Sequence, residues 1–280
     1  MLMKINNRFA FLLTTAAGLA SSPADVRAGE IVMTYAEAPG ATNSSVADTS
    51  VYTFNNLLTA THLTNVVWTG VGTYSQLYVI NGNEYGGAGG SPYPVESAKI
   101  GLGGTPNTTL YLTTAISYFG MWWSAGDANN FLTFYSGNNL VASFSTANLL
   151  AKLPTAYFGN PTPGYKGQDS TEAFAFINFF GQAGTTFDKI VLSDPSTTSG
   201  FESDNHTVRV AAYGADSKDN PAALPGVPVE EIVNHNGVQT IITNPSQINT
   251  IPQPVPEPAA ASLLGLAGVF TLWRVLKQRR

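Results

Sequence analysis

Short apolar, β-branched and aromatic runs recur between Gly29 and Gly214, separated by clusters of Gly, Pro, Asn and Ser. That punctuation is the pattern of strands joined by turns. The runs predict strands at 31–36, 51–57, 65–69, 75–80, 109–112, 116–123, 131–135, 140–145, 173–180, 187–193 and 207–213. Within Phe174–Phe180, alternation sets Phe174, Phe176 and Phe180 on one face around the smaller Asn178. Ser136-Gly137-Asn138-Asn139 reads as a hairpin connection. One short helix is expected over 146–152, with Ser145 as N-cap and Pro154 beyond its end. So many short strands in one stretch predict an all-β fold, specifically a jelly-roll-like two-sheet β-sandwich over 29–214. Long loops at 81–98 and 154–170, rich in Gly, Pro and Tyr, are expected at its ends.

After Gly214 the pattern changes. Residues 215–255 are rich in Pro and poor in large apolar groups, and read mainly as a linker. The exception is 231–242, where Asn236-Gly237 is suited to closing a hairpin.

Composition adds two constraints. The 280 residues carry no Cys, which removes disulfides, thiolate metal sites and thiol nucleophiles, and the three His leave little for zinc. Charged residues are only 11% of the chain, so Thr and Asn must supply much of the polar surface. The formal net charge of −5 hides a partition: six basic and sixteen acidic residues lie between Gly29 and Pro256, a net of −10. Such a body repels nucleic acid and anionic membrane surfaces.

The remaining cations mark the two ends. Lys4 and Arg8 precede an apolar stretch, Phe9–Ala20, and Val26-Arg27-Ala28 offers small residues at −3 and −1. This is the plan of a secretory signal peptide over 1–28, cut by signal peptidase after Ala28 or, alternatively, after Ala24; an N-terminal core helix is the competing reading. At the other end Val255-Pro256-Glu257-Pro258 is followed by the apolar run Ala259–Trp273 and then by Arg274, Lys277, Arg279 and Arg280. Pro-Glu-Pro, a short apolar helix and a terminal Arg cluster resemble the PEP-CTERM sorting signal of Gram-negative bacteria, here over 256–280. The resemblance implies recognition by an exosortase, transient anchoring in the inner membrane by a transmembrane helix, and delivery to the cell surface or the extracellular biofilm matrix. A plain C-terminal tail anchor is the alternative, with the cations held on the cytoplasmic side in either case.

Two constellations carry candidate chemistry. In Tyr118–Tyr135 an aromatic strand containing Trp122 and Trp123 runs into a loop with Asp127 and Asn130. Asp127 and Asn130 can hold the loop through local bonds. Alternatively, one of the adjacent tryptophans faces outward on a regular strand and stacks on a sugar ring, while Asp127 and Asn130 bind its hydroxyls. In Gly200–Val208 the oxygen ligands Glu202, Asp204 and Asn205 crowd together, which suits Ca²⁺ or else a turn of solvated charges. Together these segments resemble the β-sandwich body of a group of exosortase-dependent PEP-CTERM surface proteins, chiefly over 116–208.

Catalytic signatures are scarce. The sequence has no Gly-x-Ser-x-Gly elbow, His-Glu-x-x-His pair, phosphate-binding loop or dinucleotide fingerprint. The expected function is therefore non-enzymatic: an exported surface or matrix protein associated with exopolysaccharide. The alternative is a secreted glycoside hydrolase, since Asp127 with Glu172 or Glu202 would meet the requirement for a carboxylate pair.

Overall fold

The computed structural model describes residues 29–36, 38–96, 107–215, 219 and 223–250. The expected signal peptide, the end of the linker and the sorting signal, with Val255, Pro256, Glu257, Pro258 and the terminal cations, lie outside the described residues. The described chain is all-β, with fourteen strands and one short α-helix, α1 (Ala147–Leu150). The strands are β1 (Glu30–Tyr35), β2 (Ser50–Tyr52), β3 (Thr61–Trp68), β4 (Gly72–Ile80), β5 (Tyr93–Glu96), β6 (Asn107–Ile116), β7 (Tyr118–Gly126), β8 (Phe131–Ser136), β9 (Asn139–Ser145), β10 (Ala173–Gln182), β11 (Phe187–Ser193), β12 (Phe201–Arg209), β13 (Val227–His235) and β14 (Val238–Ile242).

These strands form one large antiparallel sheet that is folded over and nearly closed into a barrel, with twelve in the order β14-β13-β1-β10-β7-β12-β5-β4-β6-β11-β8-β9, β2 pairing with β12 and β3 with β4. The two sheets expected from the sequence are thus two leaves of a single sheet. The short strand β5 joins them, pairing with β12 through Phe201 and Glu202 and with β4 through Val79 and Ile80. On the far side the leaves meet without a backbone ladder. There the Ser143 N–H donates to Gln239 Oε1 at 3.0 Å, and Asn234 Nδ2 donates to the Leu140 carbonyl at 2.7 Å.

The inner faces of the leaves enclose the main core. Ile31, Met33, Phe119, Met121, Trp123, Ile177 and Phe179 of the first leaf pack against Tyr74, Leu110, Leu132, Phe134 and Phe144 of the second. The outer faces differ. In β8 buried residues alternate with partly exposed ones, as on a sheet with one wet face. Every residue of β7 is buried, and nearly every residue of β10. The alternation expected in Phe174–Phe180 is present, but the face bearing Phe174, Phe176 and Phe180 is the outer one, roofed by loops.

The sequence reading ends the folded body at 214, and the structure extends it. Strand β13 pairs with β1 along its length, and the β13–β14 hairpin turns at Asn236-Gly237. Pro228 sits at a register shift: Met33 faces Glu230 while Thr34 faces Pro228. A bulge is where a sheet tolerates the missing N–H of proline.

Candidate functional site

The roof over the first leaf builds a cleft. The sequence predicts loops at 81–98 and 154–170; the first ends at β5, and its residue Ala88 packs with Ala36 on the outer face of β7 and β10 against Trp122, Phe174 and Phe176. Asn83 shapes the first loop: its Oδ1 accepts from the Tyr85 N–H at 2.9 Å, the Gly86 N–H at 3.2 Å and the Tyr93 hydroxyl at 2.7 Å. Gly86 is required at its position, because a Cβ there would lie 2.6 Å from the Tyr93 ring and 2.8 Å from Ser124 Oγ. The second loop is tied to the first by Asn160 Nδ2, which donates to the Glu84 carbonyl at 2.7 Å.

Asp204 on β12 anchors the roof. Its Oδ2 accepts from the Ala88 N–H and from Ser91 Oγ, both at 2.8 Å, and its Oδ1 accepts from the Asn205 N–H at 2.6 Å. Burial pushes its carboxyl up to about 6 even with these donors in place. Asn205 occupies the left-handed region at φ 47°, within a register shift of β12 between Asp204 and Thr207. Its Nδ2 donates instead to the Thr42 carbonyl at 2.8 Å and to Asn43 Oδ1 at 3.1 Å.

Between the roof and the ends of β7 and β12 lies a cleft of about 500 Å³, walled by Asn83, Tyr85, Tyr93, Asp127, Glu172 and Glu202. Tyr85 is 45% exposed and offers its ring to solvent. Ala125, also in the lining, has φ 41°, a costly conformation for a residue with a Cβ, so the end of β7 turns sharply here. The electrostatics are one-sided. The Glu202 carboxyl is held well above its ordinary range, first by burial and then by Glu172, Glu96 and Asp127. Glu172 is also raised, by burial and by its neighbours Asp169 and Asp127. Among the described residues no donor from another residue reaches the Glu202 side chain, and no Lys or Arg lines the cleft.

Of the residues expected to bind sugar, only Asp127 reaches the cleft. Trp122 and Trp123 are both buried, 1% and 0% exposed, so neither offers an indole to a sugar ring. The alternation argument was sound, since Trp123 faces inward and Trp122 outward, but the roof covers the outward face. Asn130 is likewise buried, accepting from Trp123 Nε1 at 2.7 Å and donating to the Gly200 carbonyl at 3.3 Å. Asp127 accepts from the Asn129 N–H at 2.7 Å, the local loop bond that was the competing reading.

The proposed Ca²⁺ ligands do not converge. Asp204 turns to two donors of the roof, Asn205 turns to the 42–43 segment and Glu202 faces the cleft. Among the described residues no group of three or more His, Asp or Glu is arranged to hold a metal ion.

Tyr85 and Tyr93 were not singled out by the sequence. The available signal was their placement in a Gly-rich loop beside Asn83. Comparison with protein-family models, with curated proteins and with solved structures gives no match.

Proposed function

We propose that this chain is an exported surface or extracellular-matrix protein, sorted by an exosortase through the PEP-CTERM-like tail, whose folded body associates with exopolysaccharide. The observation that carries the binding half is the cleft at the end of β7 and β12. It combines the exposed Tyr85 ring, a rigid amide and carboxylates, the mixture that recognises sugar faces and hydroxyls. It replaces the tryptophan platform expected from sequence. The jelly-roll reading of the body is supported by the order of the consecutive strands β5 to β12, which run β5-β12-β7-β10 in one leaf and β6-β11-β8-β9 in the other, with β4 between β5 and β6.

Retention of the full chain on the host's exopolysaccharide tests the binding half. Tyr85→Ala, at an exposed ring, should abolish retention without changing the melting temperature; equal retention by wild type and variant would reject the cleft. The sorting half is tested by blotting membrane and medium fractions in hosts with and without the exosortase. Replacing Pro256-Glu257-Pro258 by Ala should leave an uncut membrane form, and wild-type protein of one size in the medium of both hosts would contradict the assignment.

One observation favours a second reading, a secreted glycoside hydrolase. Asp127, Glu172 and Glu202 share the cleft, and burial favours a protonated Glu202, the state a general acid needs for donation to a leaving oxygen. Release of new reducing ends from exopolysaccharide, lost in Glu202→Gln, would establish it; binding without release would exclude it.

A further inference from the structure

Resting on the reading of the cleft as a saccharide site, we infer that its ligand is an amine-bearing saccharide, a de-N-acetylated hexosamine unit whose ammonium seats against Glu202 between Asp127 and Glu172. Charge decides first. Three carboxyl side chains line the cleft, Glu84 and Asp169 act electrostatically on its wall residue Tyr85, and Asp194 acts with Asp127. An anionic glycan would place its carboxylates among these groups with no cation in the lining to receive them.

The Glu202 side chain decides between neutral and cationic ligands. It lines the cleft half-buried and takes no hydrogen bond from any other described residue, whereas the nearby Asp204 takes three from the loops and its own strand. A half-buried carboxyl lacking donors from other residues is suited to a group bringing several at once, and an ammonium brings three with a charge. The exposed Tyr85 ring supplies an apolar face for the sugar ring and a site for cation–π attraction.

Proton linkage follows. Burial and like charge favour the protonated forms of Glu202 and Glu172, and an arriving ammonium favours their ionised forms. Binding should therefore release protons, and affinity should rise with pH until the ligand's own amine begins to lose its charge.

The test titrates the full chain by calorimetry, in two buffers of different ionisation enthalpy, with three oligomers of equal length: glucosamine, N-acetylglucosamine and a uronate. The glucosamine oligomer should bind at least roughly tenfold more tightly than the acetylated one, with proton release and weakening in salt. The uronate should not bind. Glu202→Gln and Glu172→Gln should each remove that preference, whereas Asp188→Asn, at the Gly137 turn outside the cleft, should leave it intact. Equal or tighter binding of the acetylated oligomer overturns the amine preference while leaving the saccharide cleft standing. Uronate binding overturns the charge argument. Failure of all three to bind removes the cleft as a saccharide site and the proposal with it.

Discussion

The two leaves of the sheet share one core and have opposite outer faces. On the second leaf, β8 alternates buried and partly exposed residues, and Tyr111 of β6 stands 53% exposed. On the first leaf, β7 is buried at every position, and Trp122 of β7 lies with Phe174 and Phe176 of β10 beneath loops. The difference is written in residue pattern: alternation marks a strand with one wet face, and an unbroken apolar run marks one covered on both. The covered leaf also carries the cleft, because a roof over a sheet leaves a gap where it meets the strand ends.

The sharpest challenge to this contrast is Trp122→Ala. An outward-facing residue on an uncovered sheet would be cheap to lose, but beneath the roof the loss should cost about 3–5 kcal/mol, as for a core aromatic. Denaturant unfolding should show a similar cost for Trp123→Ala on the inner face. A near-neutral Trp122→Ala would mean that the roof does not pack.

The pH dependence of stability probes the junction of the leaves and the inner core. Glu96, buried on the joining strand β5, has its carboxyl pushed by burial from 4.5 to about 8. A raised carboxyl favours the protonated folded state, so this contribution is complete below about 4.5 and is lost as pH climbs through 8. His206 runs the other way. Buried among Phe54, Tyr74 and Phe119, its imidazole falls from 6.5 to about 3, so its contribution is complete above 6.5 and is lost as pH drops toward 3. At about 1.4 kcal/mol per pKa unit, each limb should amount to a few kcal/mol. Glu96→Gln should flatten only the alkaline limb of an unfolding series, and an unchanged alkaline limb would contradict the burial of Glu96.

Asp204→Ala should cost about 1.5–3 kcal/mol, because it removes the acceptor of the Ala88 and Ser91 donors. It should also weaken saccharide retention by loosening the roof, a coupling that a purely local role would not produce. At the small end, Tyr111→Ala on the open leaf should stay within about 0.5 kcal/mol of wild type.

The strand class was legible because the signals are local. Phe131–Ser136 and Asn139–Ser145 around Gly137, and the aromatic runs of β7 and β10, all stand where the pattern places them. Strand β5 was hidden because Tyr93-Pro94-Val95-Glu96 is short, contains Pro and sits in a Gly-rich stretch; it exists through its partners on β4 and β12. The hairpin at Asn236-Gly237 was legible, but the pairing of β13 with β1, with Pro228 at its bulge, is long-range and was not. For the cleft, Asp127, Glu172 and Glu202 were nameable as carboxylates, but their meeting depends on the ends of three elements distant in sequence. The burial of Trp122 was not legible because periodicity reports which way a side chain points, and only tertiary structure reports what lies above it.

The most direct measurement is hydrogen–deuterium exchange of the full chain with and without a bound glucosamine oligomer. Protection is expected at 83–86, 124–127, 172 and 198–202, the backbone around the cleft on the roofed leaf, with no change at β3, β6 or β8. Protection confined to β3, β6 or β8 would place the binding surface on the open leaf and contradict the assignment of function to the cleft.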